Sequence, residues 1–250
     1  MHSRVVVITG ASSGIGAALA ELLGQRAMSV VLVARRPEAL ESIAVKCGDH
    51  ALAIVADCTK RDDVRRVVDM TISRFGCIDV WVNNAGQGIT RPPSQLTDED
   101  VDEVMRQNVK TALYGMQEVL PHFKERNEGH IINVSSLMGR IPFPTAAYRA
   151  AYIGAKAYLN ALTATFRAEL QQTHPGIVVS IVSPGVVATD FGLHALHGGP
   201  DSRALPDPQS PEDAAAAIAG VIDSRKPDVY TRPGVQTYVA AYYASLGSDP

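Results

Sequence analysis

Only three cysteines, Cys47, Cys58 and Cys77, occur in 250 residues, and no two stand in a Cys-x-x-Cys spacing. Their odd number argues against a disulfide framework and points to reduced, mostly buried thiols in a cytoplasmic protein. Basic blocks are absent as well. With 23 Lys and Arg against 26 Asp and Glu the net charge is −3, and without a basic stripe nucleic acid is not an expected partner. No apolar run approaches the ~20 residues of a membrane span. The first strand begins within a few residues of Met1, so no signal peptide is expected. The C-terminal stretch Tyr238 to Leu246 has no lipidation motif; it is suited to cover a pocket, join a neighbouring subunit or touch a membrane surface. His194 and His197 have no third ligand near them in sequence, so they read as loop histidines and no metal is expected.

Hydrophobic residues make up 46% of the chain, enough for a sizeable core, and no Pro/Gly/Ser-rich linker divides it. One domain over 1–250 is therefore expected. Short β-branched runs at 4–9, 29–34, 51–56, 78–82, 131–135, 177–182 and 228–231 read as strands. Most are apolar without alternation, as in parallel strands covered on both faces. Between them helices are predicted at about 14–25, 38–46, 61–75, 98–125, 149–172 and 211–223. This series predicts an α/β fold, a doubly wound and mostly parallel seven-stranded sheet with helices on both faces and right-handed crossovers. In such sheets ligands sit beyond the carboxyl ends of the strands.

Chemistry-bearing residues do follow the predicted strand ends. After the first strand comes Thr9-Gly10-Ala11-Ser12-Ser13-Gly14-Ile15-Gly16, a strand-to-helix turn built on glycines. Glycine allows conformations and close approach that a Cβ forbids, and the helix that opens at about Gly14 offers free N–H groups to a phosphate. The spacing G-x-x-x-G-x-G differs from the general G-x-G-x-x-G fingerprint. About 20 residues on, where a carboxylate would hold the ribose hydroxyls of NAD, stand Ala34-Arg35-Arg36. Two guanidinium groups there suit the 2′-phosphate of NADP(H), which is the predicted cofactor; an ordinary solvated turn before Pro37 is the alternative.

Tyr152 and Lys156 lie four apart in a predicted helix and so share a face. A phenol titrates near pH 10; a neighbouring ammonium favours its ionised form and suits it to acid/base work. Asn108 interrupts the apolar stripe Val101, Val104, Met105, Ala112, Leu113 and Met116 of a long predicted helix, where asparagine is a poor helix former. A satisfied core asparagine is the plain reading of that position.

Taken in order, Thr9-Gly10-x-x-x-Gly14-x-Gly16, Asp57, Asn83-Asn84-Ala85-Gly86, Asn108, Ser135-Ser136, Tyr152-x-x-x-Lys156 and Pro184-Gly185-x-x-x-Thr189 resemble the short-chain dehydrogenase/reductases over nearly the whole chain. The resemblance implies a Rossmann-like fold and hydride transfer to or from a nicotinamide. It implies that Tyr152 is the general acid/base, that Lys156 lowers its pKa and bonds the nicotinamide ribose, and that Asn108 holds a water linking the lysine to solvent. It further implies that Asp57 meets the adenine, that Asn84, with Ala85 and Gly86, supports the cofactor loop, and that Thr189 meets the carboxamide. The family's serine usually precedes its tyrosine by about a dozen positions. Here Ser136 precedes Tyr152 by 16, and Tyr148 would restore 12. Because Tyr148 is followed four residues later by Tyr152 and not by lysine, Tyr152 is kept and a short insertion between Arg140 and Ala147 is inferred. Ser136 is the expected catalytic serine and Ser135 the alternative.

The expected activity is that of an NADPH-dependent carbonyl reductase, reversible as a secondary alcohol dehydrogenase, on a small hydrophobic aldehyde, ketone or alcohol. Met138, Phe143 and Tyr148 are expected along one wall, and the irregular stretch 186–210 as a mobile, partly apolar lid. A 3-oxoacyl-thioester reductase is the enzymatic alternative, with Arg140 and Arg149 as candidates for its basic entrance. A non-catalytic redox sensor or scaffold is the alternative of another class. The family resemblance also implies a homodimer or homotetramer built on the helices at 98–125 and 149–172.

Overall fold

A computed structural model describes residues 3–247, apart from the side chains of 144–146. Its seven strands are β1 (Val5–Thr9), β2 (Ser29–Ala34), β3 (Ala51–Val55), β4 (Val80–Asn83), β5 (Gly129–Val134), β6 (Ile177–Ser183) and β7 (Asp228–Tyr230). They form one sheet in the order β3-β2-β1-β4-β5-β6-β7, parallel at every pairing. The order reverses between β1 and β4, and this switch point opens a crevice at the carboxyl edge. Among the described residues the helices are α1 (Gly14–Gln25), α2 (Pro37–Cys47), α3 (Arg61–Phe75), α4 (Asp98–Met105), α5 (Thr111–Arg126), α6 (Ala150–Thr173), α7 (Pro211–Ser224) and α8 (Val235–Ala244).

The period of two along β1 divides the core. Val6 and Ile8 face one side of the sheet, with Leu19, Leu23 and Ile218 from α1 and α7. Val5 and Val7 face the other, with Met116, Val119, Phe123 and Leu170 from α5 and α6. Both layers are apolar, so the central strands are buried on both faces, whereas the edge strands β3 and β7 are partly exposed. This is the burial expected of non-alternating strands.

Two departures from the sequence reading bear on the site. The helix expected at 98–125 is interrupted by a π-helical turn over Arg106–Lys110, and Val101 on its supposed apolar stripe is exposed. Asn108 occupies that turn, and its Nδ2 donates to the Val104 carbonyl at 2.9 Å. The C-terminal stretch, for which no helix was expected, forms α8. There the ring of Tyr238 stacks on Phe143 at 6.2 Å and the Tyr243 hydroxyl donates to the Arg140 carbonyl.

Candidate active site

At the carboxyl edge of the sheet lies a cleft of about 880 Å³. Gly10, Ser12, Ser13, Gly14, Ile15, Arg35, Arg36, Asp57, Asn84, Ala85, Gly86, Ser136, Tyr152, Lys156, Pro184, Gly185 and Thr189 all line it. Gly16 and Asn108 stand behind its wall.

The floor is made where β1 and β4 end side by side. The Thr9 hydroxyl donates to the Val82 carbonyl at 3.3 Å and accepts from the Asn84 and Ala85 amides at 3.0 and 3.1 Å. Asn84 returns the contact, donating through Nδ2 to the carbonyls of Thr9 and Gly10 at 3.0 and 3.3 Å. Gly10 has φ +68° in this join, and a Cβ there would stand 2.9 Å from the Ala85 Cα. At Gly16 a Cβ would meet the Gly10 carbonyl oxygen at 2.4 Å. Both glycines are thus required by close packing of the turn. Thr9 was not singled out as a site residue by the sequence: its partners lie about 75 positions away.

At the β2 end Arg36 spans to the glycine turn, donating to the hydroxyls of Ser12 and Ser13 at 3.1 Å each. Arg35 lines the cleft and makes no hydrogen bond or ion pair among the described residues. Asp57, after β3, accepts from the Thr59 amide and hydroxyl at 3.0 and 2.8 Å. Burial acts to raise its pKa, but these bonds and the nearby Arg35 charge outweigh burial and hold the carboxyl below its usual value.

The opposite half of the cleft gathers residues from β5 and α6. Tyr152 is buried, its ring 5.6 Å from that of Phe191. Burial pushes its phenol up to about 12, while a hydrogen bond with Ser136 and the charge of Arg149 pull the other way. Lys156 is buried too. Its Nζ donates to the Val134 carbonyl at 3.0 Å and lies 5.7 Å from the Tyr152 ring centre, and burial brings its pKa down to about 8. With both groups out of water burial is the larger effect, and Ser136 and Arg149 oppose it.

Ser135 and Ser136 point apart, as successive strand-end residues do. Ser135 donates to Asn160 Oδ1 at 2.6 Å, inside the β5–α6 packing. Ser136 turns to Tyr152 and also accepts from the Met138 amide at 3.1 Å. Asn108 bonds both ways with Gln87, donating to its carbonyl at 2.8 Å and accepting from its amide at 3.2 Å. A Cβ on Gly86 would stand 2.7 Å from Asn108 Oδ1 and 3.5 Å from Lys156 Nζ, so this glycine separates the two side chains.

Met138 and Phe143 line the cleft as expected, but Tyr148 does not; it is largely exposed, and its carbonyl accepts from the Arg91 amide at 2.8 Å. Arg140 is not a free basic entrance, because it forks onto Asp228 at 2.7 and 2.8 Å. The irregular stretch 186–210 is closed on itself by Val187 against Gln209 and pinned to the segment after β4 by Leu196 against Ile89. It contributes Phe191, His194 and Leu205 to the cleft. His197 binds Asp100 Oδ1 through Nε2 at 2.6 Å.

Comparison with known proteins agrees with this geometry: the family model of the short chain dehydrogenases matches residues 4–196, which carry Ser136, Tyr152, Lys156 and the glycine turn. The chain belongs to the short chain dehydrogenase family. As a member of that family it is an oxidoreductase. It is 40% identical over 198 residues to an uncharacterized oxidoreductase of Staphylococcus saprophyticus, covering 78% of each chain. A short chain dehydrogenase/reductase from Burkholderia phymatum in complex with NAD superposes with a TM-score of 0.87 over 99% of this chain and 97% of that one, at 22% identity, a likeness of fold. An alcohol dehydrogenase from Thermococcus sibiricus complexed with 5-hydroxy-NADP has a TM-score of 0.79 and 28% identity, covering 94% of this chain and 98% of that one.

Proposed function

We propose that this short chain dehydrogenase is an NADP(H)-dependent carbonyl reductase, reversible as a secondary alcohol dehydrogenase. The observation that carries the reading is the convergence of Ser136, Tyr152 and Lys156 on one end of a cleft whose other end holds the glycine turn and two arginines. The cleft fits a dinucleotide: Gly185 bares its backbone, with nothing within 4 Å of where a Cβ would stand, and Arg35 has no protein partner to give up. A bound nicotinamide would supply or accept the hydride.

The residues of this chain do the rest. Tyr152, protonated through the neutral range, donates its phenolic proton to the carbonyl oxygen of a substrate, and takes one back in the oxidative direction. Ser136, on the same side of the cleft as Tyr152, would hold the same oxygen. Lys156 lies close enough for its ammonium to favour the phenolate as it forms. Asn108, fixed by Gln87 and the π turn, lies across Gly86 from Lys156 and would hold a water that links the lysine to solvent. Asp57 and Thr59 would offer acceptor and donor groups to the adenine, Arg35 and Arg36 would hold the 2′-phosphate, Asn84 would support the cofactor loop, and Pro184, Gly185 and Thr189 would border the nicotinamide. Met138, Phe143, Phe191 and Leu205 make the substrate walls apolar, which favours a small hydrophobic aldehyde, ketone or alcohol. The stretch 186–210 serves as the lid of a single domain spanning 1–250. Assembly as a homodimer or homotetramer uses α5 and α6, where Tyr158 is exposed; a monomer by light scattering would refute it. The buried Cys58, its thiol raised to about 12 by burial, is in keeping with a cytoplasmic protein.

The test is NADPH oxidation with a panel of aldehydes and ketones. Tyr152→Phe is expected to lose at least about a hundredfold in kcat. Two charge-assisted bonds to a phosphate predict that Arg35→Ala/Arg36→Ala weakens NADPH by more than about tenfold with little change in NADH. Equal dissociation constants for NADPH and NADH in the unaltered protein would overturn the cofactor assignment.

A further inference from the structure

Among the described arginines, nearly all are engaged: they pair with carboxylates, donate to carbonyls or hydroxyls, or lie over a ring, as Arg74 does over Phe75. Arg35 and Arg149 have no hydrogen bond, ion pair or ring contact, and both line the cleft. They stand at its two ends. Arg35 lies at the nucleotide end, beside Asp57. Arg149 lies at the start of α6, three residues before Tyr152, and its charge reaches the phenol.

Arg149 is partly buried, and its side chain has no hydrogen bond or ion pair among the described residues. A cation that borders a cleft without a protein partner is stabilised by an anion brought in with a ligand, and a guanidinium suits the paired oxygens of a carboxylate. The nearest cleft carboxylates are not available to it: Asp57 is held by Thr59 and Asp190 by Arg203. Met138, Phe143 and Phe191 line the same cleft, with Phe191 beside Tyr152, and suit an apolar segment.

We propose that the substrate is a carbonyl compound with an apolar body and a carboxylate end, an oxo acid or the corresponding hydroxy acid, and that Arg149 binds the carboxylate while Tyr152 meets the carbonyl. The proposal rests on the reductase reading, and names the substrate class of that same site. The reaction balances with the cofactor already invoked: hydride adds to the carbonyl carbon, the C=O π pair becomes an O–H bond with the proton of Tyr152, and the carboxylate is unchanged.

The test compares 4-, 5- and 6-oxo fatty acids of about eight carbons with their methyl esters, on the NADPH-loaded protein. Octanoate and methyl octanoate serve as ligands that cannot react. Octanoate is expected to bind at least tenfold tighter than its ester, and an oxo acid to have at least a tenfold higher kcat/KM than its ester. In Arg149→Met both ratios fall towards one, and Arg149→Lys restores part of each. Equal binding of octanoate and its ester by the unaltered protein overturns the proposal, as does a ratio that survives in Arg149→Met. Equal losses on acid and ester in Arg149→Met, with a shifted pH profile, would make Arg149 a positioning residue for Tyr152 and also overturn it. Failure of the reductase reading is distinguishable, since it appears as turnover of neutral ketones that Tyr152→Phe leaves intact, or as no binding of NADPH at all.

Discussion

Lys156 is held in an environment that suits its neutral form better than its charged one. Its ammonium is buried, and Val134 supplies a single carbonyl at 3.0 Å. The pKa falls from 10.5 to about 8. Between pH 8 and 10.5 the unfolded chain therefore carries a proton that the folded one has released, and stability rises with pH through that window. Below pH 8 the buried charge costs on the order of 3 kcal/mol. Lys156→Met is thus expected to melt above the unaltered protein at pH 7, with the difference shrinking as pH rises towards 10.5; thermal melts across that range decide it, and a variant that melts lower at pH 7 contradicts the argument. The same titration bears on turnover. As Lys156 loses its proton its pull on Tyr152 ends, so kcat/KM for carbonyl reduction should hold level to about pH 8 and then decline. A level profile to pH 10 would remove Lys156's charge from the mechanism.

Among the elements, α4 and the stretch that follows β6 are joined through one carboxylate. Asp100 completes a capping box with Thr97 at the start of α4, accepts from Arg91 at 2.7 Å and binds His197 at 2.6 Å. Bonds from Arg91 and His197 lead the influences that hold its pKa far below the usual carboxylate range. His197 itself sits at φ +64°, a backbone conformation that the surrounding contacts must maintain. Asp100→Asn should therefore loosen residues 186–210 as well as the first turn of α4. Faster hydrogen exchange by several-fold in both segments is the expected result; a change confined to α4 would show that His197 does not hold residues 186–210. The π turn at Arg106–Lys110 belongs to the same scale. It lets Asn108 turn back to Gln87 and Val104 at once, a geometry that a regular helix would not present.

Across the whole molecule the sheet carries one buried titratable group away from the cleft. His130 on β5 bonds Ser180 on β6 through Nε2 at 2.8 Å, and burial, with the charges of Arg225 and Arg4, lowers its pKa to about 3. Folded His130 stays neutral where the unfolded chain would protonate near 6.5, so its share of stability is complete above that pH and is lost as pH falls from 6.5 towards 3. The full effect is about 5 kcal/mol, spread over that window. His130→Gln should flatten the acid side of the urea-midpoint profile between pH 6 and 4; an unchanged slope would locate the acid sensitivity elsewhere.

Strand and helix positions were legible in the sequence because parallel strands buried on both faces leave continuous β-branched runs, and the helices between them keep local periodicity. All seven predicted strands form, and α1 and α3 span 14–25 and 61–75 as read. The glycine turn was legible for a similar reason, since the demand for small residues lies within seven positions. Tyr152 and Lys156 share a helix face, so their partnership too was local. What the tertiary structure decided are contacts between distant positions: the Thr9–Asn84 join, the turning of Ser136 towards Tyr152 and Ser135 towards Asn160, the engagement of Arg140 by Asp228, and the exclusion of Tyr148 from the cleft. Burial was decided there as well, and with it the direction of the Tyr152 and Lys156 pKa shifts. Composition and spacing record which groups the chain owns and how neighbours along it are patterned; the water left around each group depends on which distant segments cover it.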